Sequence, residues 1–223
     1  EKMKQPVLNF ECQSMFLLVG QPGGFSTLED YRRYAVDIGF EGVTAPVGTP
    51  AFDYGLATTS SAYMDDHEAY LNGLGFVSGL HQVEWHVVTQ CVSLHPGRVL
   101  RFGHFVDPAN FRTMDSARIQ AIAVAMVKKL IDVLAKRPAK QRKIVGFCGG
   151  RGYAAAQAKW SAWPKFLPLW VLASLANDWE ELLEYAADRN VTIHFEIGHP
   201  ENDLLTGDNF RVFRSMLSPK ARK

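Results

Sequence analysis

The chain of 223 residues is long enough for one domain with a full core, and its 47% hydrophobic and 21% charged content is that of a soluble globular protein. A net charge of +1 excludes a broad nucleic-acid-binding face. The three cysteines, Cys12, Cys91 and Cys148, form no CxxC pair, which excludes a zinc knuckle or a disulfide framework, and no apolar run approaches the roughly 20 residues of a membrane span.

Reduced thiols, and an N-terminus without a signal-peptide pattern, make a cytoplasmic location the expectation, with no membrane partner. Short apolar runs then alternate with helix-length amphipathic segments, as repeated βα units do. A first strand is expected over residues 15–19, closed by Gly20-Gln21-Pro22-Gly23-Gly24. Ser26 or Thr27 caps a helix reaching Ile38, with Glu29 and Asp30 in its first turn and Gly39 at its end. Residues 42–45 form a short strand broken by Pro46, residues 62–72 a second helix, and residues 76–86 a third strand. Residues 91–97 lead into a long loop reaching about Pro108.

Asp115 or Ser116 opens the clearest helix, running to about Ala135. Its Ile119, Ile122, Ala123, Met126, Val127, Leu130, Ile131 and Leu134 make one apolar stripe. Residues 143–148 are the fourth strand, 172–187 a helix with Trp179 in its core face, and 191–196 the fifth strand. A last helix starts at Asp208 or Asn209 and ends near Leu217. The expectation is one α/β domain over residues 1–223, with five βα units of a (β/α)8 barrel. A closed barrel typically takes about 250 residues, so the last three units are expected to be missing.

The most informative stretch is Val191-Thr192-Ile193-His194-Phe195-Glu196-Ile197-Gly198-His199-Pro200-Glu201-Asn202-Asp203. A strand-type run delivers Glu196 at its tip, where barrel chemistry resides, and a His-Pro-Glu turn follows. Such a carboxylate suits a divalent metal or a proton transfer, with a salt bridge or helix cap as the equal alternative. His199, Glu201 and Asp203 are substrate contacts or simple loop polarity. His86, with Gln90 beyond it, and His95 stand at neighbouring strand tips, where histidines can bind a polyol or shuttle protons. Together with Glu196 they point to a polar pocket. The Trp160-Ser161-Ala162-Trp163-Pro164 loop suits stacking on a sugar ring or plain anchoring. Gly149, Gly150 and Gly152 match no phosphate-loop spacing.

Phe195-Glu196-Ile197-Gly198-His199-Pro200-Glu201-Asn202-Asp203 resembles the E-I-H-P-G-E-D segment of sugar phosphate isomerase/epimerase proteins with the xylose-isomerase-like TIM barrel, within the AP endonuclease 2-like superfamily. His86-Val87-Val88-Thr89-Gln90 and Val92-Ser93-Leu94-His95-Pro96 are similar to that family's H-L-Q-G-Q and V-A-V-H-P pair. Ile38-Gly39-Phe40-Glu41-Gly42-Val43 resembles its L-G-Y-K-G-V, and Ala162-Trp163-Pro164 its tryptophan-proline loop. The four segments keep the family's order along nearly the whole chain.

The resemblance implies a divalent metal, manganese foremost and magnesium, zinc or cobalt besides, with Glu196 as its first ligand and as a proton-transfer group. His86, His95, Trp163 and His199 would contact substrate. The implied reaction isomerises or epimerises a sugar or sugar phosphate through a cis-enediolate. Gly198 departs from the family pattern as an insertion. The family's other metal ligands lie on strands six to eight, so activity is expected of the complete barrel. Dehydration of a keto-inositol, or cleavage of a keto-glycoside by a lyase, would use the same proton abstraction. A non-catalytic barrel fragment would act instead as an assembly subunit, with homo-oligomerisation or a partner subunit expected of its open sheet edge.

Overall fold

The computed structural model describes residues 9–11, 19–20, 22–93, 103–113, 115–148, 167–196 and 206–223. Among them the chain is mixed α/β, with parallel strand pairing in its N-terminal part. It divides into two compact units, one of residues 1–84 and 137–143, the other of residues 85–136 and 144–223. No helix among the described residues is long and apolar enough to cross a membrane.

In the first unit β1 (Asn9–Glu11), β2 (Gly42–Pro46) and β3 (Gly79–Glu84) pair in parallel, in chain order. Helix α1 (Leu28–Asp37) begins at a full capping box: Thr27 Oγ1 accepts from Asp30 N–H, and the Asp30 carboxylate accepts from Thr27 N–H. Its end is equally specified. Gly39 takes φ +98°, and Phe40 N–H reaches back to the Ala35 carbonyl. Two further helices, α2 (Tyr54–Thr59) and α3 (Tyr63–Gly73), separate β2 from β3. Gly79 starts β3 at φ +56°, and a Cβ there would meet Glu68 Oε1 at 2.2 Å. The missing side chain lets the Glu68 carboxylate accept from Leu80 N–H at 3.0 Å. Between Val43↔Leu80 and Thr44↔Gln82 the β2–β3 register shifts by one residue.

The second unit opens with α4 (His86–Thr89), a helical turn continued by a 3₁₀ turn over Gln90–Val92. Helix α5 (Ser116–Ala135) is capped by Asp115, whose Oδ1 accepts from Arg118 N–H. Its Ile119, Ala123, Val127, Leu130, Ile131 and Leu134 are buried, while Ile122 and Met126 lie at the margin of the stripe. After β4 (Lys143–Gly146), whose Lys143 belongs to the first unit, comes α6 (Leu169–Asp188). Asn190 at φ +53° ends α6, and Val191 N–H bonds the Ala186 carbonyl, so the chain turns directly into β5 (Thr192–Phe195). Helix α7 (Gly207–Met216), capped by Thr206, packs on α6. Trp179 is fully buried and meets Phe195 edge-on at 4.7 Å, and Phe195 meets Phe213 in the same way.

Several expectations are corrected. The third strand is Gly79–Glu84, so His86 does not end a strand but opens α4. The turn is tied to β4 by Thr89, whose hydroxyl bonds back to the Trp85 and His86 carbonyls at 2.9 and 3.1 Å and accepts from Phe147 N–H at 3.0 Å. Pro46 closes β2 rather than breaking it; it lacks a donor, and the next residue, Val47, gives its N–H to the Glu84 carbonyl. Helix α2 was not expected, and neither was β1; the strand expected at residues 15–19 lies outside the described residues except Val19, which is in a turn.

Candidate functional site

The site forms in the second unit, where the start of α4 meets the ends of β4 and β5. Trp85 N–H donates to the Val145 carbonyl and Glu196 N–H to the Gly146 carbonyl, which fixes both approaches to β4. Thr89 then locks α4 in place. It is fully buried, and its Oγ1 accepts from Phe147 N–H at 3.0 Å while bonding back to its own turn. That contact needs a glycine beside it: a Cβ on Gly146 would stand 2.5 Å from Thr89 Oγ1 and 2.6 Å from its Cγ2. Ser93 Oγ and Trp179 Nε1 both donate to the Cys148 carbonyl, so the chain leaving β4 is held from two directions.

On this frame His86 Nε2 and Glu196 Oε2 lie 2.9 Å apart. The imidazole is 5% exposed and stacks on Phe147, with centroids 4.1 Å apart and planes 18° from parallel. The Glu196 side chain keeps 46% of its surface. The separation is that of an ion pair, but the ring nitrogen is not aligned as a hydrogen-bond donor to the carboxylate. A buried, immobilised imidazole therefore lies beside a carboxylate open to solvent. Two groups held in this way can share a third atom between them. Two ligand atoms at right angles, each about 2.1 Å from a divalent ion, are about 3 Å apart, so the Glu196 oxygen and His86 nitrogen suit neighbouring ligand positions. Among the described residues no group of three or more His, Cys, Asp or Glu side chains comes together to hold a metal.

Of the residues singled out in the sequence, the structure brings Glu196 and His86 together. His95, Trp163, His199, Glu201, Asp203 and the glycines at 149, 150 and 152 lie outside the described residues. Gln90 is buried at the end of α4. Cys91 and Cys148 are buried and form no disulfide. In the first unit, sequence reasoning passed over Glu84, a carboxylate 2% exposed at the last position of β3. Its signal was present: a glutamate closing a strand, as Glu196 does, hidden because the strand was extended to His86. The sequence matches no protein-family model and no curated protein.

Proposed function

We propose that the chain carries the Glu196 corner of a xylose-isomerase-like TIM barrel and serves a divalent-metal-dependent isomerase or epimerase of sugars or sugar phosphates. The observation that supports this reading is the Glu196–His86 contact: a solvent-open carboxylate at the end of β5, held 2.9 Å from a buried imidazole. Glu196 would take the proton from the carbon next to the substrate carbonyl, and its exposure leaves room for a ligand. His86, fixed by Phe147 and by the Thr89-braced turn, would stand as an immobile nitrogen beside that carboxylate. Glu196 and His86 would supply an oxygen and a nitrogen ligand to manganese or a similar ion, which when bound polarises the carbonyl.

Two measurements test it. Manganese added in substoichiometric steps should broaden the His86 ring signals in proton NMR before those of other histidines, and Glu196→Gln should remove that selectivity. Broadening that ignores the substitution overturns the metal site. Epimerisation needs two bases, but exchange of the α-proton needs only one. In D2O with manganese, at least one of a panel of ketoses and ketose phosphates should gain deuterium next to its carbonyl, and Glu196→Gln should abolish the gain. No exchange across the panel, or exchange that survives the substitution, counts against the reaction.

A further inference from the structure

The first unit contains a second polar cavity, remote in sequence from Glu196. The start of α1, the loop over residues 47–53, α2 and α3 border an open pocket of about 750 Å3, within the range of small-molecule sites. Arg32, Thr49, Tyr54, Tyr63, His67 and Tyr70 supply its polar and aromatic lining. Arg32 is unusual among them. It is 2% exposed, and its Nε–H is buried with no acceptor. Nη2 makes one long bond, 3.3 Å, to the Ala51 carbonyl, and the guanidinium lies over the Tyr70 ring at 5.4 Å. Among the described residues no carboxylate forms an ion pair with it. The one carboxylate in the lining, Asp53, keeps its charge and caps α2 by accepting from Leu56 N–H, but it makes no ion pair with Arg32.

Beside Arg32, His67 Nε2 is likewise buried without a hydrogen-bond partner. The His67 ring is fixed by stacking on Tyr63 and by an edge contact with Phe52. Tyr63 Oη accepts from Asp53 N–H at 2.7 Å, which leaves its own O–H to donate. A buried guanidinium without a counter-charge is costly, and a fold that retains one inside a cavity has built half of an ion pair. The planar fork of donors on arginine fits an oxyanion, carboxylate or phosphate, better than any other partner.

We propose that this cavity binds the oxyanion group of a small organic acid or phosphate ester, with Arg32 as its counter-charge and the Tyr63 hydroxyl and His67 Nε2 as flanking contacts. The aromatic walls from Tyr54 and Tyr70 would take the body of the ligand. The site does not depend on the reading of Glu196.

The test is a titration of the full chain with inorganic phosphate and, separately, with acetate, at an ionic strength held constant with sodium chloride. The Arg32 Nε–H signal in 15N NMR and the melting temperature are followed together. The expected result is a saturable shift of that signal with one of the two anions, which tells phosphate from carboxylate. At about 100 times Kd the melting temperature should rise by about 5–10 °C. Arg32→Met should remove both responses. No saturable shift with either anion overturns the proposal, as does an equal response to chloride alone. If Arg32→Met does not fold, the wild-type Nε–H titration decides alone, by the same criterion.

Discussion

Gly146→Ala isolates the contact that holds the candidate site together. The backbone at Gly146 is not in the left-handed region, so the change introduces no φ strain. What it introduces is a methyl group 2.5 Å from Thr89 Oγ1, 2.6 Å from Cγ2 and 2.9 Å from Cβ. Thr89 has no room to retreat: it is fully buried, with its hydroxyl tied to Trp85, His86 and Phe147. Overpacking of this kind costs about 1–3 kcal/mol, and loss of the bond from Phe147 N–H about 1 kcal/mol more. The sum, about 2–4 kcal/mol, corresponds to about 5–15 °C in melting temperature for a chain of this size. Thermal denaturation followed by circular dichroism measures it. Thr89→Ala removes the obstructing atoms, so Gly146→Ala should cost at least about 1 kcal/mol less in that background. If Gly146→Ala is within about 0.5 kcal/mol of wild type, or costs the same with and without the Thr89 side chain, the locking argument is wrong.

Gly79→Ala should also destabilise, but through two separate causes. The positive φ costs about 1–2 kcal/mol, and Glu68 must leave Leu80 N–H; adding Glu68→Ala should therefore leave the first part intact in a urea titration. Ser93→Ala removes a donor to the Cys148 carbonyl at about 1–2 kcal/mol, and Trp179→Phe removes another and leaves a cavity at a fully buried position, so it should cost more. Because both donate to the same oxygen, their effects should not be independent, and strict additivity in a urea titration would refute the shared acceptor. Burial, and secondarily the charge of Arg32, lowers the pKa of His67 from its usual 6.5 to about 4. The unfolded chain thus takes up a proton that the folded one refuses as pH falls from about 6.5 to 4. Stability should drop over that window by at most about 3 kcal/mol, and His67→Gln should flatten this part of the profile measured by urea denaturation.

The helices were legible where their ends carry chemistry. Thr27 with Asp30, Gly39 and Asp115 mark α1 and the start of α5 within a residue, because caps act locally and need no tertiary partner. Strands were extended too far. Trp85 and Val87 have strand-forming side chains, yet the chain turns helical where Thr89 packs against Gly146 and accepts from Phe147 N–H. That decision is made by residues about 60 positions apart. Helix α2 was missed because six residues carry too little periodicity to register, even with Asp53 capping them. Glu196 and His86, which lie 2.9 Å apart, were both singled out as strand-tip residues, although His86 opens a helix. The Arg32 cavity was not legible at all. On the sequence Arg32 is one of two adjacent arginines in an amphipathic helix, and only burial separates it from Arg33, which pairs with Glu29 in solvent.

The one-residue shift between β2 and β3 has a consequence in parity. Side chains alternate from face to face along a strand, so an extra residue at His81 exchanges odd for even for everything after it. Glu84 stands opposite Pro46, with the extra residue, His81, three positions before it. Deleting His81 would leave Gln82, Val83 and Glu84 opposite Thr44, Ala45 and Pro46, on the faces they already occupy, and would remove only the local bend that the extra residue makes.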